Sequence, residues 1–330
     1  MSEKKMRFSG LVVVLLTLPL LFECNHIKDV QPEDKDIVPS TAVQAIKKSY
    51  PEARDFIFES LIKGELWVVD FSVDNTKLRT QVNDSAIVSS IYERLPANFA
   101  TYKALTDKCS IRGGEFSDLL RYAGDTSSAR IMKYHWQGDT YFLEFQKDDF
   151  LFNTNRITLV SPDASLPCYV SEQQLPEKAR QFFQDNNVGL KYRLGQFAVS
   201  GAEKKIYRVY ALNYDFPFFF DDDGDLIWSL VANNPANSIY SVKNSELGYP
   251  AILAKTDAMY AGFDTLTSGA SKTDYNGIIS LRFLFRKQTG ESLNPDGSIN
   301  MNYINEISEV YFNANTSDLI LNYYRAFIKY

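Results

Sequence analysis

Histidine is nearly absent from this chain. Among 330 residues there are two, His26 and His135, beside three cysteines, Cys24, Cys109 and Cys168. A zinc site usually draws several His or Cys ligands, and no His-Glu-x-x-His occurs. A serine hydrolase needs a base within hydrogen-bond reach of its nucleophile. Only His135 falls in the expected folded body, and no Gly-x-Ser-x-Gly places a serine beside it. A structural His135 on a sheet face is therefore expected. Basic blocks are also missing, and with a net charge of −6 nucleic acid is not an expected partner. A phosphate-cradling Gly-rich loop with a lysine is lacking too, since Gly113-Gly114 does not continue into the rest of that pattern. No cofactor is expected.

Long apolar runs are confined to the N-terminus. Lys4, Lys5 and Arg7 precede an almost wholly apolar stretch from Phe8 to Phe22. At about 1.5 Å per residue that stretch reaches roughly 22 Å, short of the ~30 Å hydrocarbon core. Pro19 also argues against a stable spanning helix. Residues 1–23 thus read as a cleaved export signal. Residues 24–37 are polar and read as a flexible tether. Cys109 and Cys168, outside the cytoplasm, either pair as a local disulfide or are separate small buried hydrophobes.

What the chain has in abundance is aromatics, with 20 Tyr and 23 Phe, and short segments in a recurring order. In VPSTAVQAIKKSYP, Val43, Ile46 and Tyr50 fall at helical spacing between two prolines. ELWVVDFSV then alternates, with Trp67, Val69, Phe71 and Val73 on one face, and Asp74-Asn75 turns into a strand bearing Leu78, Thr80 and Val82. The order returns at LPEKARQFF, followed by YRLGQFAV, KKIYRVYALNY and, after FFFDDDGD, DLIWSL. A less regular copy begins at LPANFATYKALTDKC. Phe116, Leu119, Leu120 and Ala123 form a second helical stripe there, before a hairpin turning at Gln137-Gly138-Asp139. The last copy has Leu253, Thr256, Tyr260 and Phe263 on one helix face, then strands at IISLRFLFR, EVYFNA and DLILNYY. Each unit is too small to bury its strand face alone. The expected fold is therefore α+β. Tandem helix-plus-antiparallel-meander units would pack in pairs over residues 38–165 and 170–330, clearer over 170–235 and looser over 245–330, with helices on one face of antiparallel sheets.

Two features resemble known families. LLFECN, with Cys24 directly after the apolar run, resembles a bacterial lipoprotein signal, although Glu23 replaces the small residue usual before the cysteine. The resemblance implies that Cys24 carries the lipid; ordinary cleavage nearby and an uncleaved anchor are the alternatives. The Val38-Pro39 and Leu175-Pro176 openings, the Tyr50-Pro51 ending, and Tyr207-Arg208-Val209 leading to Phe220 and Asp223-Gly224-Asp225 resemble the PepSY-like exported bacterial proteins. That fold is related to the β-lactamase inhibitor proteins. The resemblance covers residues 38–90 and 170–230 and is weaker elsewhere. It implies a noncatalytic, protein-binding or regulatory module of the cell envelope; the lipoprotein-type signal implies in addition a lipid anchor to a membrane, in the periplasm or at the outer-membrane surface.

Three candidate sites remain. FFFDDDGD fails as an EF-hand loop: with Gly224 sixth, Phe219 stands first and Leu230 twelfth. A hairpin turn is expected, with Asp221, Asp223 and Asp225 as a weaker cation-site alternative. Trp67, Trp136 and Trp228 are the candidate binding aromatics if they face the uncovered side of a sheet, and core if they face the helices, as the alternation of Trp67 with Val69 and Phe71 favours. Asp70 and Glu144, acids within apolar strands, are the candidates for a two-carboxylate hydrolase. An envelope protein is the expected partner, and a surface glycan the alternative.

Overall fold

The computed structural model describes residues 38–330 except 125–127, 149–153, 162–165, 167, 187, 189–191, 200–202, 212–213, 231–238, 243–247, 292, 299, 301–302 and 330. The signal segment, Cys24, His26 and the tether lie outside the described residues.

Helix α1 (Ser40–Ser49) opens after Pro39, whose fixed φ of −62° suits a helix entry, and Lys47 and Lys48 face the dipole's negative end. Strands β1 (Arg54–Ile62), β2 (Leu66–Val73), β3 (Thr76–Val82) and β4 (Tyr92–Arg94) follow as a meander. Trp67, Val69 and Phe71 alternate onto the face covered by Ala42 and Ile46 of α1, forming one core. Helix α2 (Ala100–Thr106) precedes β5 (Glu115–Tyr122), β6 (Arg130–Trp136), β7 (Asp139–Asp148) and β8 (Thr154–Ser161). Gln137 and Gly138 join β6 to β7 with φ of 53° and 88°, the paired positive values of a type I′ hairpin.

Strand β9 (Cys168–Val170) and a 3₁₀ turn (Glu172–Gln174) lead to α3 (Glu177–Asp185) and strands β10 (Tyr192–Val199), β11 (Lys205–Ala211), β12 (Phe218–Phe220) and β13 (Leu226–Trp228). Then come β14 (Ile239–Val242), α4 (Pro250–Met259), β15 (Asp264–Tyr275), β16 (Ile278–Thr289), β17 (Ile304–Asn313) and β18 (Asp318–Lys329). Asn276 and Gly277 close the β15–β16 hairpin with φ of 51° and 84°.

The tandem α+β architecture expected from sequence is not what the chain forms. Strand dominates and helices are few. The meanders do not stand as separate units under their own helices. Thirteen strands run as one antiparallel sheet in the order β1 to β8, then β18, β17, β16, β15, β14. The reason is edge chemistry. A free meander edge exposes unpaired N–H and C=O groups. Here β4 bridges β3 to β5, with Arg79 opposite Tyr92 and Glu93 opposite Arg121. Strand β8 pairs with β18 over eight residues, Thr154–Ser161 against Asn322–Lys329. Among the described residues, these two junctions leave only β1 and β14 as edges of the large sheet.

A second expectation also fails. The Phe116, Leu119, Leu120 stripe lies on strand β5, with Ala123 in the turn just after it, and not on a helix. The register shifts between Ser117 and Leu120, and Asp118 has a φ of +54°. This bulge adds a residue, so Phe116 and Leu119 reach one core while Leu120 reaches another. A strand with a bulge thereby imitates helical spacing.

Strands β9 to β13 form a separate five-stranded sheet in the order β13-β12-β11-β10-β9. The triple phenylalanine is itself a strand, not a lead-in to one. Its alternation splits two cores: Phe218 and Phe220 join Ala179 and Phe183 of α3, while Phe219 joins Trp228 against Tyr311 and Leu321 of the large sheet. The far face of the large sheet, opposite α1, thus carries the small sheet over part of its area. Among the described residues, no helix is long and apolar enough to cross a membrane.

Candidate functional site

Every predicted site residue except Cys24 lies among the described residues. Trp67 is 1% exposed, Trp136 8% and Trp228 0%. Trp136 donates its indole N–H to the Arg112 carbonyl at 3.2 Å, and Trp228 donates to the Leu281 carbonyl at 3.1 Å. All three rings belong to cores, so a binding surface made of them is not presented. Their burial follows from the alternation that places each beside large apolar neighbours.

The acidic turn is a chain reversal. The Asp221 N–H donates to the Asp225 carbonyl and the Gly224 N–H to the Asp221 carbonyl, both at 3.0 Å. The Asp221 carboxylate accepts from the Asp225 N–H at 2.8 Å, and Asp225 pairs with Lys178 at 2.7 Å. Two of the three candidate carboxylates are thereby committed to protein donors. No group of three His, Cys, Asp or Glu side chains among the described residues is placed to hold a metal. Gly224 has a φ of +82°, and a Cβ there would lie 2.6 Å from Pro176 Cβ and 3.1 Å from the Ala179 nitrogen. Glycine is therefore required twice over, by conformation and by the close approach of α3. Gly224→Ala is expected to lower unfolding stability by about 1–3 kcal/mol, read as a lower urea midpoint at unchanged m-value.

Cys109 and Cys168 are both buried, in different cores, and are not bonded to one another. The expected alternative of a disulfide between them is not formed. Burial pushes the Cys109 thiol up to about 12, with the Glu306 charge adding to it. His135 is exposed on β6, its Nδ1 2.9 Å from the Thr140 hydroxyl.

Asp70 lies on the far face, in the most connected charge cluster of the described residues. Arg79, its cross-strand neighbour, donates to both of its oxygens at 2.8 Å. Arg94 of β4 donates to the same carboxylate at 2.8 Å. Arg79 also reaches Asp118 of β5 at 2.9 Å, and Lys133 of β6 stands 3.5 Å from Asp118. Five strands, β2 to β6, are thus stitched by one alternating ladder of charge. Burial pushes the Asp118 carboxyl up, but Arg79 above all, with Lys133 and Arg94, holds it below its ordinary range. A general acid needs the opposite shift, so Asp118 is not set up as one. Glu144 is half-buried on β7, opposite Ile131 and Thr158, and not beside Asp70.

Further along the same face, register places Thr158 opposite both Glu144 and Arg325, and Arg156 opposite both Gln146 and Phe327. Arg325 of β18 stacks on Tyr323 at 5.0 Å and on Phe327 at 5.9 Å. Arg156 donates to the Gln146 amide oxygen. Among the described residues neither guanidinium has a carboxylate within ion-pair distance, unlike Arg79, Arg94 and Arg121. Sequence reasoning missed this pair. The available signal was alternation in NRITLVS and LNYYRAFIK, which sets each arginine on the face away from Ile157 and Tyr324.

No protein-family model matches the chain, and no curated protein matches it. The reading of the site therefore rests on the geometry alone.

Proposed function

We propose that the chain is a noncatalytic, exported, lipid-anchored protein of the cell envelope that binds a protein partner through the far face of its large sheet. The observation that carries this reading is the Arg156–Arg325 platform with Tyr323 and Phe327. Arginine and tyrosine are the residue types that most often anchor protein interfaces. Guanidinium groups already held, Arg325 by stacking and Arg156 by its bond to Gln146, lose little freedom on binding, which favours association. The edge of the sheet fits less well. Strand β1 carries a bulge at Arg54–Ile57, a positive φ at Asp55 and charged side chains at Arg54, Asp55 and Glu59, features that discourage strand addition. A glycan-binding reading loses its candidate tryptophans to the cores.

The test is capture from envelope extract with the full chain and with an Arg156→Glu/Arg325→Glu variant. Both side chains are part-exposed, so the variant should keep its circular dichroism and melting midpoint. The expected result is a protein retained by the parent chain and reduced at least about tenfold in the variant, since each lost charge-assisted contact is worth roughly 1.5–3 kcal/mol. Equal retention by the two chains, or recovery of a sugar polymer and no protein, contradicts the reading.

A further inference from the structure

A cleft of about 340 Å³ opens where the β1–β2 turn, the loop after β3, the 3₁₀ turn and the small sheet meet. Its size falls in the range of small-ligand sites. Leu66, Val88, Val170 and Phe197 give it an apolar wall. The polar groups around it are unequally committed. The Asn83 side-chain oxygen already accepts from the Ser85 N–H at 3.0 Å and the Ala86 N–H at 2.7 Å. The Gln174 side-chain oxygen accepts from the Ser171 N–H at 2.8 Å. Both amides therefore keep their NH₂ ends, which have no acceptor among the described residues. Tyr207 is 7% exposed, lines the cleft, and its hydroxyl has no hydrogen-bond partner among the described residues. The ring is buried, but the hydroxyl is not among the buried atoms lacking a partner, so it opens on the cleft, where it can donate to a ligand.

The charges at the same place are one ammonium and two carboxylates. Lys205 pairs with Glu65 at 2.7 Å and lies 3.8 Å from Asp222. Glu65 is 55% exposed on a turn, while Lys205 is 21% exposed and held by its strand. The cleft thus offers three neutral donors and a lysine to an acceptor-rich group, and a surplus carboxylate to a cation. A simple anion would satisfy the donors and be repelled by Glu65 and Asp222. A simple amine would do the reverse. A zwitterion meets both demands.

We propose that this cleft binds a small zwitterion with an apolar side chain, an α-amino acid or short peptide. Its carboxylate is received by Lys205, Tyr207 and the amides of Asn83 and Gln174. Its ammonium is received by Glu65 and its side chain lies on the wall of Leu66 and Phe197. This inference does not depend on the protein-binding reading.

The experiment is an NMR titration of the full chain with L-leucine, and separately with 4-methylpentanoate and 3-methylbutylamine, which keep one charge each. Leucine is expected to give saturable shifts at Ser85, Val88, Gln174 and Lys205, with both single-charge probes at least about tenfold weaker. Lys205→Met should weaken leucine about tenfold or more. Tyr207→Phe removes only an unpartnered hydroxyl, so it should weaken leucine while leaving the melting midpoint in place. That separates a lost contact from a lost fold. Absence of saturable shifts at these residues overturns the proposal. So does binding of 4-methylpentanoate as tight as leucine, or leucine binding unchanged in both variants.

Discussion

Arg79→Met is expected to remove about 3–5 kcal/mol of unfolding stability, because it leaves charge buried without its partner. Arg79 is 8% exposed and serves two carboxylates from neighbouring strands, Asp70 and Asp118. Burial by itself would lower the affinity of its guanidinium for a proton. The hydrogen bond to Asp70 and the charges of both acids more than offset that, so the group is held charged. Methionine keeps most of the volume and none of the charge. Arg94 and Lys133 remain, but Arg94 is 37% exposed and Lys133 reaches only Asp118, so the replacement is incomplete. The pH dependence gives a second readout. Asp118 has a folded pKa below its unfolded value. Its contribution is therefore fully present above the unfolded carboxylate pKa of about 4, and is lost as pH falls through the lower folded value. The parent chain should lose stability through that acid window. The variant, with Asp118 no longer stabilised by Arg79, should lose less there. Urea titrations at a series of pH values measure both effects. A double-mutant cycle with Asp70→Asn tests whether the penalty belongs to the pair.

Trp228→Ala is expected to cost about 3–5 kcal/mol as well, by a different route. Trp228 is fully buried between the two sheets. It meets Phe219 edge-on at 5.6 Å and Tyr311 at 4.6 Å, and its N–H reaches across to the Leu281 carbonyl. Truncation leaves a cavity walled by aromatic rings of two sheets, which relaxes poorly. Trp228→Phe keeps most of the packing and loses only the indole donor, so it should cost appreciably less. Equal midpoints for Trp228→Ala and the parent chain would mean that the small sheet does not rest on this contact.

Local pattern was legible in the sequence wherever one side chain period governed one element. Alternation placed Trp67, Val69 and Phe71 together, and proline marked the start of α1 and α3. The expected turns at Gln137-Gly138 and Asp223-Gly224 occur, because positive φ at glycine is a local demand. The long-range outcome was not legible. Nothing in Tyr92-Glu93-Arg94 announces that three residues will bridge two meanders, and nothing in Thr154–Ser161 names β18 as its partner. Strand pairing is a choice among edges that look alike one segment at a time. The β5 bulge hid a strand behind helical spacing. Glu306 is the sharpest example of a site that pattern conceals. It is 1% exposed, accepting from the Ser110 N–H and the Tyr324 hydroxyl, each at 2.7 Å. In INEISEV it alternates with the apolar Ile304 and Val310 on the inward face, where an acid is unexpected until its donors are seen. The charge ladder from Asp70 to Lys133 was hidden for the same reason, since its members come from five strands.

The most direct test of the far face as a docking surface is site-specific photocrosslinking in the intact envelope. A benzophenone side chain is placed at Thr158, between Arg156 and Arg325 on the far face, and in a second chain at Lys48 on α1. The account predicts a discrete protein adduct from position 158 and none from position 48. Adducts from position 48 alone, or the same adducts from both positions, would contradict it.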